Sequence, residues 1–247
     1  MYETRKKEKI KACIAIGIIV LAILITGIIV MKYHVEGDSN APFKLSKVTI
    51  VSNAEGIENE NAEEKWNLSI AQNNDIYFSI EKNEYNSKEE IIESVSIENI
   101  RITEVKEGKI KIYMPNSGNG ELFKNSDEFE VLNGSLTYKG AAKSNAKTLE
   151  IGNQGGTIIA RISNTNIGSY ISNDDEEIKH DGTMLKKINK NIDDIKFSVT
   201  FDLTINLKNK KYVANIALDL PCEGDLLEKG TASKEITDNL SFKRVRE

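Results

Sequence analysis

Residues 195–220 read IKFSVTFDLTINLKNKKYVANIALDL, and this stretch decides the fold. Ile195, Phe197, Val199, Phe201, Leu203, Ile205 and Leu207 occupy every second position, with Lys196, Ser198, Thr200, Asp202, Thr204 and Asn206 between them. Successive side chains of a strand point to opposite faces, so this period of two predicts a strand with one face in a core and one in water. After a turn at Lys208-Asn209-Lys210-Lys211, the alternation resumes through Tyr212, Ala214, Ile216, Leu218 and Leu220. The expectation is a long antiparallel hairpin. Pro221, which brings no amide hydrogen to the ladder, closes it.

The same period recurs upstream. Trp66, Leu68 and Ile70 alternate with polar residues, as do Ile76, Phe78 and Ile80, and Ile110, Ile112 and Met114. Phe129 to Tyr138 places Asn133-Gly134 between two such runs; this dipeptide accepts the positive φ angles of a type I′ turn. A hairpin is expected there, with Val131 opposite Leu136 and Phe129 opposite Tyr138. Two short helices are predicted. One begins at Ser87-Lys88-Glu89-Glu90, a capping-box pattern before Ile91 and Ile92. The other begins at Asp181-Gly182-Thr183, before Met184, Leu185 and Ile188. Ile76 to Asn83 and Ile158 to Thr165 look alike, and each precedes an acidic stretch, a helix candidate, a hairpin and a proline (Pro115, Pro221). The fold class read from these signals is mainly β: an antiparallel β-sandwich-like region in two halves, 45–140 and 141–247, split near the small polar stretch Gly140 to Ala146.

The first 44 residues read differently. Ala12 to Met31 is an uncharged apolar run, preceded by Arg5, Lys6, Lys7, Lys9 and Lys11. At 1.5 Å per helical residue, about 20 residues span a hydrocarbon core of ~30 Å. The run is longer than a signal-peptide core and is followed by Met31-Lys32-Tyr33-His34, with no small-residue cleavage pattern. The expectation is a basic cytoplasmic tail (1–11), a transmembrane helix (12–32) and a linker (33–44). Lys and Arg cluster on the cytoplasmic side of such helices, which places everything after Tyr33 outside the cell membrane.

The chain has 247 residues and a net charge of −5. The part beyond the anchor keeps 27 basic and 36 acidic side chains. An acidic surface repels phosphate backbones, so nucleic acid is not an expected partner. Cys13 falls in the anchor and Cys222 far from it, so no disulfide within the chain is expected. Abundant Ile, Asn and Lys with scarce Pro suggest a bacterial, Gram-positive source.

The densest set of potential ligands is Asn173-Asp174-Asp175-Glu176-Glu177-Ile178-Lys179-His180. Asp174, Asp175, Glu177 and His180 are the candidate metal residues. Carboxylates on a loop suit Ca²⁺, which takes roughly 6–8 oxygens. Glu177 and His180 would share a helical face toward a transition metal. EF-hand spacing is absent and no second His stands near, so a solvated acidic loop is the competing reading, and no cofactor is expected. Catalytic patterns are missing too: H-E-x-x-H, G-x-S-x-G and C-x-x-C do not occur. Cys222 reads as a packed thiol. Gly152-Asn153-Gln154-Gly155-Gly156 lacks the spacing of a phosphate loop and reads as a turn. Trp66 reads as core, whereas Tyr77 faces away from Phe78 and is the better surface aromatic.

Four segments carry a resemblance: Gln72 to Tyr77, Ile151 to Gly156, Ser172 to Glu177 and Leu218 to Pro221. Through them nearly the whole chain is similar to a family of single-pass membrane proteins of clostridia-like bacteria that has no assigned function. The resemblance implies lineage and topology and supplies no site. The functional expectation is a membrane-anchored extracytoplasmic binding or assembly module, not an enzyme. It touches lipid through its anchor and an envelope protein through loops and sheet edges. The alternative is an envelope hydrolase or a metal or ligand sensor that uses the acidic loop at 173–180.

Overall fold

The structure, a computed structural model, describes residues 17–28, 41–59, 66–84, 90–103, 105–113, 135–145, 149–172, 183–238 and 240–245. It is mainly β. Five strands form one sheet: β1 (Phe43–Glu58), β2 (Asn67–Lys82), β4 (Lys109–Tyr113), β7 (Gly155–Ile171) and β10 (Thr231–Ile236), in the order β10-β1-β2-β7-β4. Every pairing in it is antiparallel. Six strands form the other: β3 (Ser94–Ile102), β5 (Leu136–Gly140), β6 (Leu149–Ile151), β8 (Phe197–Leu207), β9 (Lys210–Leu220) and β11 (Lys243–Val245), in the order β11-β9-β8-β3-β5-β6. Only β5 and β6 run parallel.

The hairpin that decides the fold forms as expected. Leu207 pairs with Lys210 and Phe197 with Leu220, so the turn tightens to Lys208-Asn209. Phe197, Val199, Phe201, Leu203 and Ile205 are buried, as are Tyr212, Ala214, Ile216, Leu218 and Leu220. Ile195 ends a short helix instead of opening the strand, because Asn191 and Asp194 cap residues Ile192–Ile195 reciprocally.

The inner faces of the two sheets share one hydrophobic cluster. Phe78 of β2 meets Phe201 of β8 edge-on, with ring centroids 5.6 Å apart at 86°. Tyr138 of β5 reaches across: its hydroxyl donates to Ile159 O of β7 at 2.5 Å and accepts from Ile159 N at 3.2 Å. The expected halves, 45–140 and 141–247, each supply strands to both sheets. A division at 140–146 therefore separates no two cores. The look-alike segments 76–83 and 158–165 lie on neighbouring strands, where Ile76 pairs with Ala160 and Phe78 with Ile158.

Three further local outcomes differ from expectation. Residues 90–93 are not helical. Ile92 N donates to Asn153 O and Glu93 N to Asn206 O, both at 2.9 Å, and Ile92 is fully buried, so residues 92–93 are held by cross-chain pairing; the expected helix start at 87–89 lies outside the described residues. Residues Asn67–Lys82 form one continuous interior strand, β2, where two short runs were read. Trp66 is 48% exposed and so does not belong to the core. The second predicted helix is present as Met184–Lys187, with Met184 and Leu185 buried. The Asn133-Gly134 turn and its strand 129–132 lie outside the described residues; β5 itself pairs with β3 and β6.

Residues 17–28 form an apolar helix with its side chains exposed, inside which Thr26 Oγ1 donates to Ala22 O at 2.8 Å. Among the described residues no helix is long and apolar enough to cross a membrane. The remainder of the expected span 12–32 lies outside them.

Candidate functional site

Asp174, Asp175, Glu177 and His180 lie outside the described residues. Among the described residues no three His, Cys, Asp or Glu side chains gather as a metal group. Polar chemistry concentrates in three other places.

The first is inside the sandwich. The inward row of β2 runs Leu68, Ile70, Gln72, Asn74, Ile76, Phe78 and Ile80, so two amides interrupt an apolar face. They satisfy one another. Asn74 Nδ2 donates to Gln72 Oε1 and to Ile162 O, both at 3.0 Å. Gln72 Nε2 donates to Asn74 Oδ1 at 2.9 Å and Ser52 Oγ donates to the same oxygen at 2.7 Å. Cys222 N and Sγ reach Ser52 Oγ at 2.9 and 3.1 Å. Cys222 is free and buried. A buried network of this kind fixes register and excludes solvent, which is a structural task, although Asn164 Oδ1 opposite Gln72 has no hydrogen-bond partner among the described residues.

The second lies on the opposite face of the same sheet. Asp75 takes Arg161 bidentately, through Nε at 2.6 Å and Nη2 at 2.9 Å. Burial works against the Arg161 charge, but its hydrogen bond to Asp75 and the nearby carboxylates more than offset this and raise its pKa. Tyr77 beside the pair is raised by burial and then by the Asp75 charge. Ser163 Oγ donates to Asn73 Oδ1 at 2.6 Å. The donors and acceptors here are also largely committed to one another.

The third is open. A groove of about 460 Å³ lies on the outer face of the six-stranded sheet, lined by Asn99 and Arg101 of β3, Thr200 and Asp202 of β8, and Asn215 and Ala217 of β9. A β-bulge builds it. Glu98 pairs with Asp202 and Arg101 with Thr200, so Asn99 and Ile100 together oppose Phe201. The extra residue reverses the parity of β3. Val95 and Ile97 face the core before it; after it Ile102 does, and Arg101 turns to solvent beside Thr200. Asn99 absorbs the bulge with φ of 54°, a left-handed conformation that Asn tolerates better than most side chains.

Asp202 organises this surface. Asn99 Nδ2 donates to its Oδ2 at 2.7 Å and Asn215 Nδ2 to its Oδ1 at 2.5 Å. Each amide is thereby oriented, leaving its carbonyl oxygen and second N–H available. The Arg101 side chain is exposed and has no hydrogen-bond or ion-pair partner among the described residues. The groove thus offers a cation, two oriented amides and the Thr200 hydroxyl over a floor that includes the Ala217 methyl. Its residues were not singled out in the sequence. The readable signal was the slip in spacing at Val95, Ile97, Ile100 and Ile102, which breaks the period of two at Asn99.

Comparison of the chain with protein-family models, with curated proteins and with solved structures finds no match.

Proposed function

We propose that the protein is a membrane-anchored extracytoplasmic binding module, which holds an envelope partner through the outer face of its six-stranded sheet. The observation that carries this reading is the groove at Arg101, Asp202 and Asn215. Its polar groups are oriented before any ligand arrives, and one cation is left without a partner among the described residues. Preorganised groups lose little entropy on binding, which is what a recognition surface requires. The anchor is the apolar run 12–32 with its basic flank, and the sandwich is displayed outside. The β-sandwich as a loop- and groove-bearing scaffold suits the role.

The test is site-specific photo-cross-linking in cells of the source type. The cross-linker is placed at Thr200 in the groove and, as a control, at Lys234 on the opposite sheet. One recurrent adduct from Thr200 and none from Lys234 is the expected result. Adducts equal at both positions count against a binding role for the groove. Protease added to intact protoplasts is expected to remove a C-terminal tag; a tag protected until lysis reverses the topology.

A further inference from the structure

The geometry points to the ligand class of this groove: a carboxylate-bearing sugar unit of a glycan, an inference that rests on the binding reading above. Four features argue for it. Arg101 supplies the groove's cation, without an ion-pair partner among the described residues, and a guanidinium fork matches a carboxylate bidentately. Asp202, 2.5–2.7 Å from its two amide donors, adds a carboxylate charge to the same groove. That charge repels a dianion such as a phosphate monoester and tolerates a single carboxylate held at the Arg101 end. Asn99, Asn215 and Thr200 present oriented acceptors and donors side by side across three strands, which is the demand made by adjacent hydroxyls on a ring.

The fourth feature removes strand addition as a mode of binding in the groove. The floor is β8, whose backbone is paired on one side to β3 and on the other to β9. A peptide main chain laid in the groove finds no free ladder to extend, so strand addition is closed to it. Recognition must run through side chains, and these are hydroxyl- and carboxylate-matching groups. The groove volume of about 460 Å³ falls within the range of roughly 300–1,000 Å³ typical of small-molecule sites.

The experiment is calorimetric and NMR titration of the full-length chain in neutral detergent. The probes are trigalacturonate, the uncharged maltotriose and triglutamate. Saturable binding of trigalacturonate is expected, at least about tenfold tighter than either of the others. Arg101→Gln should weaken it about tenfold or more, and Ala217→Trp, which fills the groove, should abolish it, with thermal melting unchanged in both. Absence of trigalacturonate binding overturns the proposal. So does maltotriose binding as tightly, which removes the carboxylate, or triglutamate binding as tightly, which removes the sugar. Trigalacturonate binding that survives both variants places the site elsewhere. These outcomes bear on the ligand class alone; the anchored binding module stands or falls by the cross-linking and topology experiments.

Discussion

At the scale of single residues, the side chains that matter most bridge layers or complete a network. Tyr138 is the clearest. Its hydroxyl is a polar link between the sheets, and burial pushes its pKa well above the usual phenol value. The neutral form is the one the fold accommodates. Its contribution is therefore fully present below the unfolded-state pKa of 10.0 and is lost as pH rises above it. Tyr138→Phe should cost about 1 kcal/mol at neutral pH and flatten the alkaline limb of a stability-versus-pH curve, measured by denaturant melts from pH 7 to 11. Ser52→Ala removes a partner from Asn74 Oδ1 and from Cys222 N in a dry interior. It should destabilise by about 1–3 kcal/mol, and a change below the error of a urea melt would show that the network is dispensable. The sequence read Tyr138 only as a hairpin partner of Phe129 and did not mark Ser52, because both acquire these partners from strands more than twenty positions away.

At the scale of elements, alternation decided strand identity and irregularities decided where the groove forms. The long hairpin β8–β9 was legible in full, since both strands keep an unbroken period of two. β2 was read as two runs because Gln72 and Asn74 interrupt its apolar row; only their mutual hydrogen bonding makes that row one strand. The bulges are the opposite case. Between β2 and β7, Thr165–Ile167 oppose Ala71, with Asn166 at φ 57° and its Oδ1 accepting from Ser69. Just before β4, Gly108 holds φ of 87°, and a Cβ there would lie 2.0 Å from Asn164 Oδ1. Gly108→Ala is therefore expected to lower the melting temperature, by strain at a positive φ and by a clash with a buried amide. A scan of the variant that overlays the parent would rule this out.

At the scale of the whole molecule, two interleaved sheets share one core. Neither 41–140 nor 141–247 contains both partners of the central pair β2–β7. Expressed separately, both should lack a cooperative thermal transition, and co-expression should restore one. The single Trp of the chain, Trp66, precedes β2 at one end of the five-stranded sheet, near the exposed Ile171 that pairs with Asn67. Its fluorescence in the folded protein should be readily quenched by iodide or acrylamide; emission shielded from both would mean that it is covered.

The sequence by itself determined the mainly β class and the hairpin at 195–220, because burial of one strand face imposes a local period of two that any reader can see. It also determined the apolar N-terminal run and the acidic balance beyond it, since these are properties of composition. Only the tertiary structure decided that both parts of the chain build one core, that Gln72 and Asn74 belong inside it, and that Arg101 reaches solvent next to Asp202 and Asn215. Those outcomes depend on which strands pair and in what register. Pairing is set by hydrogen bonds and packing between residues remote in the chain, which no local pattern records.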